Sequence, residues 1–145
     1  MADNATDYKS GFVFEDAEYA VVKYSETIIP GDLLMITGVN SEYKPIVARH
    51  TGSGKARFVA IRDGDANSPG LSQVLRRGRT KLTFGGTVAA GDTIAPNNNK
   101  VVEAGLAGAG YPCGVAINAG AGAATGVSWV DGGGFSCGRG SPSRY

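Results

Sequence analysis

Gly86 to Ile94 reads GTVAAGDTI, and Thr27 to Leu34 reads TIIPGDLL. Both run Thr, a β-branched residue, two more residues, Gly-Asp, one residue, then an apolar residue. This pattern predicts a short strand, a tight turn at Gly-Asp and the start of another strand. Gly supplies the unusual φ, and the Asp carboxylate accepts from nearby backbone N–H groups. An echo follows each copy: Phe58-Val59-Ala60-Ile61 after the first and Gly114-Val115-Ala116-Ile117 after the second. A strand run then closes each unit, Ser72 to Leu75 in one and Gly126 to Val130 in the other. Matching order and similar spacing predict a β fold built from two related halves.

Composition agrees with that reading. The chain has 145 residues, enough for one domain with a modest core. Gly occurs 23 times, more than twice its usual share, which favours turns and short strands over helices. Strand candidates are Tyr19–Tyr24, Leu33–Thr37, Ile46–His50, Arg57–Arg62, Ser72–Arg77, Thr80–Phe84, Val101-Val102, Gly114–Ile117 and Gly126–Val130. Arg57–Arg62 is apolar on both faces and belongs in the middle of a sheet. Thr80, Leu82 and Phe84 share one face while Arg79, Lys81 and Thr83 share the other, so that strand is half-buried. Gly78 reads as a bulge or turn between two strands. The expected architecture is all-β: a small barrel or sandwich-like core over 19–131, an N-terminal arm over 1–18 and a Gly-rich tail over 132–145.

Net charge is +1, which implies no bulk attraction to nucleic acid or membrane. The distribution is uneven. Residues 1–43 carry eight acids against two lysines, and residues 44–81 carry nine bases against two acids. Such segregation is resolved either within the fold or between subunits, acidic face to basic face. No apolar run reaches the ~20 residues of a membrane span. The polar, acidic start, MADNATDYKS, does not read as a secretory signal. Cys113 and Cys137 form no CxxC metal signature, and a reduced pair is the default.

Few residues suggest chemistry. Gly52-Ser53-Gly54-Lys55 has Arg49 where a phosphate-binding loop needs Gly, and Ala56 where it needs Ser or Thr. His50, the one histidine, has no ligand or triad spacing around it and reads as a surface or interface residue. Asp63-Gly64-Asp65-Ala66-Asn67 begins like a calcium loop but lacks the later Gly and terminal Glu, so it reads as an acidic turn. Asp32 and Asp92 are explained by the turns they sit in, beside Gly31 and Gly91. No catalytic, cofactor or metal set emerges, and the chain is not read as an enzyme. The run Arg76-Arg77-Gly78-Arg79-Thr80-Lys81 is the sharpest charged feature. It could contact a protein partner or nucleic acid phosphates, or shield an edge strand.

With the two Gly-Asp turns, the Val-Ala-Ile echoes and the Gly/Ala-rich ending in view, the chain resembles the capsid cement or head-decoration proteins of tailed bacteriophages. The steps that carry the resemblance are Ile28–Leu34, Phe58–Ile61, Ala89–Ile94, Lys100–Glu103, Gly114–Ile117 and Val127–Val130. The resemblance covers residues 19–131 and leaves out the acidic arm, the DGDANSPG loop and the tail. It implies a compact barrel-like domain, often a homotrimer, made in the host cytoplasm and carried on the exterior of the virion. There it would clamp neighbouring major capsid protein subunits, with no cofactor and no membrane. Candidate interface residues are Arg76, Arg77, Arg79, Lys81, Phe135 and Tyr145. The rival readings are a nucleic-acid-binding barrel using Arg76 to Lys81, and a host-surface or glycan-binding domain using exposed Tyr and Trp.

Overall fold

The computed structural model describes residues 17–67, 71–106 and 108–131. The chain is all-β. Among the described residues nine strands form one mixed sheet: β1 (Glu18–Tyr24), β2 (Leu33–Val39), β3 (Pro45–Arg49), β4 (Phe58–Ala60), β5 (Ser72–Thr83), β6 (Thr93–Asn97), β7 (Lys100–Glu103), β8 (Gly114–Ala116) and β9 (Thr125–Asp131). The spatial order is β1-β3-β2-β4-β5-β9-β8-β6-β7, with a further β1–β5 pairing. That pairing joins β1 back to β5, so β1, β3, β2, β4 and the first half of β5 make a closed ring. The second half of β5 pairs with β9, then come β8, β6 and β7, and a parallel bridge from Phe84 to Val101 closes a second ring. Closure removes most open sheet edges.

The two rings repeat one another bond for bond. Gly31 N–H donates to the Ala60 carbonyl at 2.9 Å, and Gly91 N–H donates to the Ala116 carbonyl at 2.7 Å. Asp32 Oδ2 accepts from Ile29 N–H at 3.0 Å, and Asp92 Oδ2 accepts from Ala89 N–H at 2.9 Å. Isolated bridges join Ile28 to Gly64 and Val88 to Gly120. The glycine φ values are 95° and 88°, and Asp32 N–H and Asp92 N–H each donate back three residues at 3.1 Å. This is a type II turn, which needs a residue free to take positive φ at its third position. The turn is not a hairpin. The segments on either side of it pair with a common third segment, Ile28 with Gly64 and Leu33 with Val59.

Each ring has its own interior. The first holds Val22, Tyr24, Ile28, Leu34, Val47, Ala60 and Val74. The matching positions of the second are Leu82, Phe84, Val88, Ile94, Val101, Ala116 and Ser128, all buried. Phe84 lies across Gly120 and Gly126, where a Cβ would collide with its ring. Tyr24 carries a hydroxyl that Phe84 lacks, and that hydroxyl donates to the Arg62 carbonyl at 3.0 Å.

Gly78 does not separate two strands. Ser72 to Thr83 is one twelve-residue strand, and the irregularity is a bulge. Opposite β1 the register steps from Glu18–Arg77 to Tyr19–Leu75, which makes Arg76 the extra residue. Gly78 follows at φ 145°, with the Ala17 backbone 3.0 Å from where a Cβ would sit. A bulge changes which face each later side chain points to. Val74 therefore joins the first interior, while Leu75 joins Leu82 in the second. Leu33, Val59 and Leu75, on the outer wall of the first ring, pack with Cys113 and Val130 of the second in one continuous core.

Ser128 Oγ is buried and has no hydrogen-bond partner. Its counterpart in the first ring is Val74, so the position does not need a hydroxyl. Ser128→Ala raises unfolding free energy by about 1 kcal/mol, because an unsatisfied buried hydroxyl is removed. Urea titration checks this; a loss of stability contradicts it.

Candidate interface surfaces

A polar seam joins the rings. The β6–β7 turn is Asn98-Asn99, with φ values of 49° and 69°, a left-handed conformation that Asn tolerates well. Its tip reaches into the first ring. Asn99 Nδ2 donates to Asp32 Oδ1 at 2.9 Å, and Asn99 Oδ1 accepts from Leu33 N–H at 2.7 Å. Asn98 N–H donates to the Gly52 carbonyl at 2.8 Å. Asn99 N–H donates to His50 Nδ1 at 3.2 Å, which leaves the hydrogen on Nε2, 2.9 Å from the Gly54 carbonyl. His50 is fully buried. It is an interface residue within the chain and not a surface one, because both ring nitrogens are used where the rings meet. Arg49 Nε stands 3.4 Å from Asp32 Oδ2 at the edge of the seam. Asp32 thus does more than support a turn.

The basic run sits on the most internal strand, not on an edge. Arg76 Nη1 lies 2.7 Å from Glu18 Oε1. Arg77 reaches Glu18 Oε2 at 3.5 Å and Asp131 Oδ2 at 3.3 Å. At these residues the acid-rich start and the base-rich middle meet inside the fold. These half-exposed pairs are worth at most about 1 kcal/mol each. They also leave Arg76 and Arg77 less available to phosphates.

Arg79 and Lys81 project from the outer wall of the second ring. Arg79 is in register with Trp129, which is in register with Val115, which faces Thr93. Lys81 is in register with Val127, and Ile117 N–H donates to the Val127 carbonyl at 2.9 Å. The outer wall therefore interleaves bases with Trp129, Val115, Val127 and Ile117. Sequence spacing missed Trp129 beside Arg79, since only the β5–β9 register brings the two together. Elsewhere Lys55 Nζ lies 4.6 Å from the centroid of the exposed Tyr111 ring, a cation–π contact.

The other sequence candidates are placed as follows. The Gly52–Lys55 stretch is an exposed loop, and no helix occurs among the described residues. Asp63 to Asn67 is largely exposed, and Asp65 Oδ1 accepts from Asn67 N–H at 2.8 Å in a local turn. Among the described residues no cluster of His, Cys, Asp or Glu could hold a metal ion. Phe135, Tyr145 and Cys137 lie outside the described residues, as do the first sixteen residues of the arm.

Cys113 is a buried free thiol, and burial pushes its pKa up to about 12. Tyr24 is raised from 10.0 to about 12, first by burial and then by the charges of Asp32 and Asp63. Both groups are held neutral in the folded state. Their contribution to stability is complete below their unfolded pKa values and is lost as pH rises through about 12. Urea midpoints fall between about pH 9 and 12, and the fall is shallower in Tyr24→Phe and Cys113→Ala. A midpoint flat across that window contradicts the burial argument. At the seam, Asn99→Ala costs about 2–3 kcal/mol, because it leaves Leu33 N–H without its acceptor and Asp32 Oδ1 without its donor. Faster hydrogen exchange at the Leu33 amide reports the same loss.

No family model matches the chain, and no curated protein matches it. Among solved structures it is similar to the head fiber gp8.5 N base of bacteriophage phi29, with a TM-score of 0.59 and 12% identity. The likeness covers 83% of this chain and 99% of that chain. At that identity it is a likeness of fold.

Proposed function

We propose that this protein is a structural component of a tailed-phage head, seated on the outside of the capsid and clamping neighbouring major capsid subunits as a homotrimer. The observation that carries the reading is the fold match, which runs over 99% of a domain described as the base of a phage head fiber. The sequence resemblance to head-decoration proteins reaches the same class from different features. The physical character of the chain fits it too. Two closed rings sharing one strand form a rigid body, and terminal segments flank that body at both ends. The described surface carries apolar and basic side chains on one wall. Arg79, Lys81, Phe135 and Tyr145 are the residues we assign to contacts with the capsid or with a neighbouring copy. A clamp of this kind adds a modest contact area per copy across subunit joints, and many copies act in parallel.

The reading is tested by adding purified protein to heads that lack it and sedimenting the mixture. The full chain co-sediments in a fixed ratio to the capsid protein. A chain ending at residue 131 keeps the same thermal unfolding profile and binds at least about tenfold more weakly, since bridging by a second contact raises effective concentration. Failure of the full chain to co-sediment overturns the head reading. Unfolding of the truncated chain overturns the division between core and tail.

A further inference from the structure

The rings repeat one another, but among the described residues only one of the two outer walls is covered. On the first ring, Leu33, Val59 and Leu75 are buried under the second ring, at 0–3% exposure. On the second ring the same positions are Thr93, Val115 and Trp129, with Thr93 exposed and the others half-buried. Next to them Ile117 is 46% exposed. This wall keeps an apolar surface where a solvent-facing strand would alternate to polar residues.

The polar half of the contact is repeated as well. At the first wall, the Asp32 carboxylate and Leu33 N–H grip both ends of the Asn99 carboxamide. The matching atoms of the second ring are Asp92 Oδ1 and Thr93 N–H. Asp92 is held in the same turn by the same bond to its own backbone, through Oδ2. Among the described residues, no carboxamide occupies its Oδ1 and the neighbouring N–H. Two substitutions set the second notch apart. Ala104 stands where the first ring has His50, and Glu103 stands where it has Arg49, as the matching backbone bonds show. Among the described residues, the second notch therefore has no counterpart of Arg49 and carries an additional carboxylate.

We propose that the Asp92–Thr93 notch, with Val115 and Trp129 beside it, is a docking site for a β-turn of another protein that presents an Asn side chain next to a basic residue. The occupant is inferred from the turn seated on the first wall, which reads Asn98-Asn99-Lys100. The carboxamide donates to Asp92 Oδ1 and accepts from Thr93 N–H. The adjacent base offsets Asp92 and Glu103, the role Arg49 takes at the first wall. The apolar face of the hairpin covers Val115 and Trp129. This site goes beyond attachment to a head and does not depend on it.

The probe is a disulfide-cyclised hairpin bearing the sequence of residues 94–103, IAPNNNKVVE. It is titrated to millimolar concentration into ¹⁵N-labelled full-length protein. The expected result is saturable shifts at the Thr93 and Val115 amides and the Trp129 indole. Affinity falls at least tenfold for Asp92→Ala, and equally for the peptide with Ala in place of its third Asn. Asp92→Ala also removes the acceptor of Ala89 N–H, so the peptide variant is the cleaner arm, since it leaves the protein untouched. No shifts at those positions, or shifts that persist undiminished with the Ala peptide, overturn the proposal.

Discussion

The structure depends on β5 serving two rings at once. A strand of twelve residues gives its first half to β1 and β4 and its second half to β9. An unbroken strand could not do this with a single apolar face, because Leu75 and Leu82 would point to opposite sides. The extra residue Arg76 resolves the conflict by inverting the alternation. Val74 then fills one ring while Leu75 extends the core of the other. The inversion also turns two arginines outward, where Glu18 and Asp131 meet them. The basic run is thus largely a consequence of the bulge and its exposure.

The second constraint is the seam. Apolar packing of Leu33, Val59 and Leu75 against Cys113 and Val130 brings the rings together but does not set their rotation. Asn99 does, because its carboxamide satisfies a donor and an acceptor on the first ring only in one orientation. His50 and Gly52 fix the backbone of the same turn. Buried polar groups that are fully paired trade little net energy for a defined geometry. The seam thereby joins the two rings in one defined arrangement.

Much of this was legible in the sequence. The Gly-Asp turns and the Val-Ala-Ile echoes carried the duplication, since turn chemistry is local and leaves a mark in consecutive residues. The inner face of Thr80, Leu82 and Phe84 was legible for the same reason. Closure of the rings was not, because Glu18 to Val22 pair with residues fifty or more positions away. Gly78 left a bulge and a turn both open because the two share a glycine signature, and the β1–β5 register shows the bulge. His50 and Asn99 gave no sign of their partnership, which depends on how one ring sits against the other. Trp129 beside Arg79 required the cross-strand register. The candidate contacts Phe135 and Tyr145 of the C-terminal segment lie outside the described residues.

The functional account rests on a fold similar to that of a phage head-fiber base. Its most direct test is sedimentation of native-source particles with subunit counting. The account predicts that the protein travels with a megadalton shell in fixed proportion to one larger, dominant protein. Recovery of the protein only as a free small oligomer, absent from the shell fraction, would contradict it.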